Sequence, residues 1–285
     1  MAAYPELMAN SAEIARALLT AAREGPAVAS CTVMGATDGV DIAPGAKMLV
    51  YADRQLGDLG GGPLEPAVVA FARDAIPRHV VQTCAFTPSG EPVEGRRAIE
   101  AADAIVEILV EVVEPAATLL VVGGGHVGLA VGQLGAMLGM EVAIIDDRED
   151  YANEARFPYE AQVICGDFAE ELERFPITAN TYIVLVSRGH KVDELALRTV
   201  AERGAGYVGM IGSKRRTRTV LQHLAEDGVD TDKLDKVFTP IGLDIGAETP
   251  EEIAVSVLGE IILVRRGGGA QPMSEYGRLL ATTRR

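Results

Sequence analysis

The hydrophobic period changes several times in the first part of the chain. Leu7, Ile14, Leu18 and Leu19 recur at helical spacing between Pro5 and Glu24, and Gly25-Pro26 stops the run, which predicts a leading amphipathic helix. Strand patterns follow over 27–33 and 46–51, joined as a hairpin-like pair by a long loop containing glycine. Gly60-Gly-Gly-Pro-Leu-Glu65 then runs into a helical stretch over 66–73, a glycine-to-helix junction with the geometry of an anion site. A β-branched run over 105–113 closes at Glu114-Pro115, where the domain boundary is expected.

Past that point the pattern becomes regular. Apolar strands are predicted over 118–122, 141–146, 161–165, 181–187 and 207–211, with helices over 126–138, 191–203 and 213–226. Such alternation implies a parallel sheet with crossover helices. Thr249-Pro-Glu-Glu252 places a capping hydroxyl, a first-turn proline and a glutamate in capping-box order, predicting an apolar helix up to Val264. The glycine-rich segment from Gly267 onward carries no core pattern and predicts a flexible tail over 267–285.

Composition narrows the functional classes. With 48% hydrophobic and 24% charged residues the chain has the make-up of a globular protein with full cores. A formal charge of -15 opposes a nucleic-acid partner, because such binding rests on cations neutralising phosphates. No apolar run is long enough to span a bilayer and no basic, hydrophobic leader opens the chain, so a cytoplasmic protein without a membrane partner is expected. Cys31, Cys84 and Cys165 have no paired spacing and are expected to be reduced and buried, with no metal site.

Chemistry concentrates after the first regular strand. Gly123, Gly125 and Gly128 satisfy the G-x-G-x-x-G spacing between a strand and a helix, where glycines permit the tight turn, the approach of a pyrophosphate and close helix packing. The segment Gly123, Gly124, Gly125, His126, Val127 and Gly128 is therefore a candidate phosphate cradle, with His126 placed either to donate to a phosphate or to cap the turn. Asp146, Asp147 and Arg148 end the next strand about 20 residues on, where a carboxylate accepts ribose hydroxyls. These features predict a C-terminal Rossmann-type α/β domain over 116–266, with helices on both faces of the sheet, beside a smaller α+β domain over 1–115. A second glycine turn, with Gly212, Ser213 and Lys214 opening another helix, is a further candidate anion site, against the alternative of a solvated basic surface. Ser187-Arg-Gly-His190 ends a strand at the same expected edge, with His190 either a site residue or a surface-loop histidine. Asp244 and Glu248 lie in an irregular loop before the capped helix, serving either a ligand or the loop itself.

Gly123-Gly-Gly-His-Val-Gly128, Ile145-Asp-Asp-Arg148, Arg156-Phe-Pro158, Tyr207-Val-Gly-Met-Ile-Gly-Ser-Lys214 and the segment from Thr239 to Ala254 together resemble the XdhC/CoxI family, as do Pro44–Val50 and Gly60–Glu65 in the first half. The resemblance implies an accessory protein of xanthine dehydrogenase, carbon monoxide dehydrogenase and related molybdenum hydroxylases. It implies binding of molybdenum cofactor (molybdopterin, in its mononucleotide or cytosine dinucleotide form), support of its sulfuration with a cysteine desulfurase, and delivery to an apo molybdenum hydroxylase. A homodimer is the assembly considered. Many members carry a cysteine where this chain has Pro63, and another in a Cys-Gly-Gly stretch where it has Ala101-Ala-Asp-Ala104. The same cradle also admits an NAD(P)-dependent oxidoreductase or a nucleotide-sensing regulatory module. No Tyr-x-x-x-Lys pair is present to support hydride transfer.

Overall fold

A computed structural model describes residues 4–276, except residues 24 and 80 and the side chains of 4–10, 190, 275 and 276. The chain divides into two compact units, Met1–Pro115 and Ala116–Arg285.

The first unit is built on an antiparallel sheet. Its elements are α1 (Tyr4–Arg23), β1 (Val28–Ala36), β2 (Lys47–Val50), β3 (Gln55–Gly57), α2 (Leu64–Ala75), β4 (Val81–Phe86), β5 (Pro92–Val93), α3 (Arg96–Ala101) and β6 (Val106–Val113). The strands lie in the order β3-β2-β1-β6-β4-β5, and alternation along β6 shows how this sheet is covered. Val106, Ile108 and Val110 are buried while Glu107 and Glu111 are exposed, and the buried set packs with Val68, Val69 and Ala72 of α2. On α1, Ile14 and Ala21 pack with Val28, Leu49 and Tyr51, whereas Leu19 stays 52% exposed. The hairpin-like pair is present as β1–β2, with Ala29 opposite Val50. β4 joins β6 to complete the sheet.

The second unit is a five-stranded parallel sheet. It comprises β7 (Thr118–Val122), α4 (His126–Met137), β8 (Glu141–Asp146), β9 (Ala161–Cys165), α5 (Phe168–Arg174), β10 (Thr181–Leu185), α6 (His190–Val200), β11 (Tyr207–Met210), α7 (Lys214–Glu226), α8 (Thr231–Leu234), α9 (Pro250–Arg266) and α10 (Met273–Tyr276). The order is β11-β10-β7-β8-β9, with every pairing parallel. Both faces are covered, which explains the unbroken apolar runs of these strands. Leu119 and Val121 of β7 face a core shared with Val131 of α4 and Val257, Leu258 and Ile261 of α9. Leu120 and Val122 face the opposite core, with Leu172 of α5, Leu197 of α6 and Leu224 of α7. Gly267 ends α9 in a left-handed conformation, the short α10 follows, and residues 277–285 of the expected tail lie outside the described residues. Among the described residues no helix is long and apolar enough to cross a membrane.

The capping box of α9 forms in full. Thr249 accepts from the Glu252 amide, and Glu252 accepts from Thr249 and Glu248. Those two backbone donors, Glu248 first and Thr249 next, hold the Glu252 carboxyl below its ordinary value of 4.5. A depressed folded value means that this contribution is complete above the ordinary value and disappears as pH falls through the lowered one. Thr249→Ala is expected to cost about 1 kcal/mol. Glu252→Gln is expected to melt earlier than wild type at neutral pH and to converge with it in acid, which thermal melts across pH 3 to 7 check as a rough window.

Candidate functional site

The strand order reverses at β7, with β8 and β9 on one side and β10 and β11 on the other. Open parallel sheets bind ligands outside the carboxyl ends of the strands at such a reversal. The glycine turn occupies that point, and its glycines have separate tasks. Gly123 adopts φ +116, and a Cβ there would stand 2.7 Å from the Val186 carbonyl oxygen. A Cβ on Gly124 would collide with the Tyr151 carbonyl oxygen, and one on Gly128 with that of Gly123. At Gly125 a Cβ would meet nothing within 4 Å. Gly125 also occupies the cap position of α4 and offers no side chain to its first amides, so the donors and positive dipole end at His126, Val127 and Gly128 can face an anion. His126 is exposed and Val127 half-buried.

Asp146 holds this turn from behind. Its side chain is 0% exposed; Oδ2 accepts from the Gly124 amide at 2.8 Å and from Arg148 Nη2 at 3.0 Å. Oδ1 accepts from the Arg148 amide at 3.1 Å and from Arg148 Nε at 2.8 Å. The ribose-facing carboxylate expected at Asp146 is thus buried and committed to protein donors, while the neighbouring Asp147 is exposed. Tyr151 and Arg156, which sequence reasoning did not select as site residues, complete the frame. Arg148 lies 3.5 Å from the centroid of the Tyr151 ring, and Arg156 Nε donates to the Gly124 carbonyl at 2.9 Å. Gly124 is therefore held through both its amide and its carbonyl, on consecutive peptide units, and among the described residues Arg156 Nη2 is buried without a hydrogen-bond partner. Arg156 belonged to a quoted motif, but nothing local signalled a contact 32 residues away.

On the other side of β7, Ser187 Oγ donates to Asp193 Oδ1 at 2.5 Å. Asp193 is buried, and Arg216 Nη2 of α7 stands 4.0 Å from its other oxygen. This unselected aspartate joins the loops after β10 and β11. His190 opens α6, and its side chain lies outside the described residues. At the second glycine turn Gly212 takes φ +157, Ser213 caps α7 by accepting from the Arg216 amide, and Lys214 is exposed. The later loop lines up beside β11 through Phe238 and Ile241 backbone bonds and is tied to α9 by the Gly242 amide donating to Glu260 and Ser256 donating to the Leu243 carbonyl. Asp244 and Glu248 are exposed; among the described residues no side-chain hydrogen bond or ion pair links either one to the glycine turn.

The XdhC Rossmann domain is matched over residues 119–261, and the XdhC and CoxI family over residues 21–84. The chain belongs to the XdhC/CoxI family. It is 29% identical over 229 residues to the uncharacterized protein YqeB of Escherichia coli (strain K12), covering 77% of this chain and 40% of that protein. It is 29% identical over 164 residues to a probable xanthine dehydrogenase subunit of Bacillus subtilis (strain 168), covering 58% and 48%. The chain thus spans less than half the length of these curated relatives. A crystal structure of a xanthine dehydrogenase from Bacillus halodurans shares the fold, with TM-score 0.51 and 20% identity over 91% of this chain and 98% of that one.

Two expectations for this XdhC/CoxI chain need correction. The Gly60–Gly62 run is not open to an anion, because Asp58 accepts from the Gly60 amide and Glu65 from those of Leu59 and Gly61. An open cleft of about 710 Å³ adjoins it, lined by Ile14, Leu18, Lys47, Asp58 and Leu59, but its rim amides already face carboxylates. The cysteines are not uniformly buried: Cys31 is buried, Cys84 half-buried and Cys165 exposed. Burial, and then the neighbouring Cys84, push the Cys31 thiol up to about 12, and burial pushes Cys84 up to about 11.

The separate tasks of adjacent glycines give a sharp comparison. Gly124→Ala forces a backbone collision and is expected to destabilise by about 1–3 kcal/mol. Gly125→Ala, in open space, is expected to stay within about 0.5 kcal/mol of wild type. Denaturant melts of the two variants test the assignment, and equal losses would refute it.

Proposed function

We propose that this chain is an accessory protein of a xanthine dehydrogenase-type molybdenum hydroxylase. In this reading it binds molybdenum cofactor, supports its sulfuration alongside a cysteine desulfurase, and passes it to the apo-hydroxylase. The observation that carries the reading is the uncapped amino end of α4 behind the open space at Gly125, in a chain of the XdhC/CoxI family. The client class follows from the name of the Bacillus subtilis relative.

Molybdopterin ends in a phosphate, or in a pyrophosphate and ribose as a dinucleotide, and the residues present suit that end. First-turn amides supply donors and dipole, and Gly125 leaves room for the phosphate. Among the described residues no group of three or more His, Cys, Asp or Glu could hold a metal ion. The proposed grip is on the phosphate, which would leave the metal end for sulfuration and transfer. Asp147 is assigned the ribose contact, since Asp146 has no free oxygen to give.

The test is to purify the chain from cells making molybdenum cofactor and to identify the bound small molecule by mass spectrometry. A molybdopterin species is expected with wild type and is expected to be lost with Gly125→Val, whose fold the open space should spare. A nicotinamide nucleotide in its place would replace this reading with that of an NAD(P)-binding protein.

A further inference from the structure

The loops after β8 and β10 meet across the end of β7. Because β10 and β8 flank β7, their carboxyl ends are two strand spacings apart, roughly 10 Å. Arg188, three residues beyond β10, spans that interval, with Nη2 at 3.6 Å from Oδ1 of Asp147, one residue beyond β8. The backbone leading to it is seated on the glycine turn, since the Val186 carbonyl and the Ser187 Cα are the atoms that a Cβ on Gly123 would meet. The guanidinium therefore crosses the cradle rather than lying beside it.

The ion pair is built to exchange. Its side chains are 63% and 45% exposed, and at this separation such a pair gains little over solvated charges. Asp147 is the carboxylate left available at the end of β8, because every hydrogen bond of the buried Asp146 is taken within the loop. Arg148, 3.6 Å from Asp147, is likewise bound to Asp146. Among the described residues, one edge of the cradle thus presents a cation paired with a carboxylate 3.6 Å away and an acceptor without a hydrogen-bonded donor.

We propose that Arg188 and Asp147 form an exchangeable clamp for a ribonucleoside diphosphate group. The guanidinium moves from Asp147 to the phosphates seated at α4, and the released carboxylate accepts the ribose hydroxyls. A phosphate offers Arg188 a bidentate, doubly charged partner in place of a distant exposed carboxylate. The ribose gives Asp147 two donors in place of a screened cation. The clamp rests on the reading that the cradle takes a phosphate-bearing ligand, and it adds a selection: diphosphate and ribose together satisfy both groups, and neither alone does.

Isothermal titration of the full chain with ADP, 2′,3′-dideoxy-ADP and inorganic pyrophosphate tests the clamp. Wild type is expected to prefer ADP over the dideoxy analogue. Arg188→Gln is expected to lose affinity for ADP and pyrophosphate by roughly tenfold or more, with a shallower salt dependence. Asp147→Asn is expected to bind pyrophosphate about threefold more tightly, its competitor gone, and to lose the preference for ADP. Both residues are exposed, so melting temperatures should not move. If Gly125→Val abolishes ADP binding while Arg188→Gln and Asp147→Asn bind as wild type does, the clamp is overturned and the cradle reading stands. Absence of ADP binding by wild type also overturns the clamp, and the mass-spectrometric identification judges the cradle independently.

Discussion

A carboxylate shut away from water must find all its hydrogen bonds in the protein, and Asp146 finds them in the Gly124 amide and in the backbone and guanidinium of Arg148. The rest of the carboxyl edge depends on this constraint. It fixes the amide side of Gly124, whose carbonyl Arg156 grips, and those two peptide units lead directly into α4. Removing one member of a fully buried charged pair costs about 3–5 kcal/mol. Arg148 keeps 22% of its side chain exposed, so the penalty here falls below that range. The turn is consequently preformed, and a ligand arriving there has little backbone to order.

The two units use their sheets differently. In the antiparallel sheet, hydrogen bonding and alternation are used to close a core under α2 and α1. In the parallel sheet both faces are spent on helices, so chemistry is confined to loop ends. That confinement gathers cations on one edge of a chain whose formal charge is -15: Arg148, Arg156 and Arg188 follow β8 and β10, and Lys214, Arg215 and Arg216 follow β11.

The legible parts of the sequence were those written in local patterns. The strand–glycine–helix unit around Gly123 needs glycine for reasons that act within a few residues, and the Thr249 capping box is likewise a local exchange of donors and acceptors. α5 went unread although Asp167 caps it by accepting from Ala169 and Glu170; without a long apolar stripe behind it, the cap alone was a weak sign. β4 carries Thr83, Cys84 and Ala85 amid its apolar positions, and its place is decided by pairing with β6. The functions of Asp146, Tyr151 and Asp193 were illegible because burial decides them. An aspartate at the end of a strand has the same sequence signature whether it faces a ribose or turns inward to an arginine. Only the fold distinguishes Asp146 from Asp147.

The high protonation thresholds of Cys31 and Cys84 bear on sulfur traffic. The thiolate is the form that attacks a persulfide or disulfide, and burial disfavours it at both Cys31 and Cys84. Neither Cys31 nor Cys84 is thus poised to take sulfur from a persulfide, whereas Cys165 in the second unit is exposed. Oxidants would find Cys31 and Cys84 equally unresponsive.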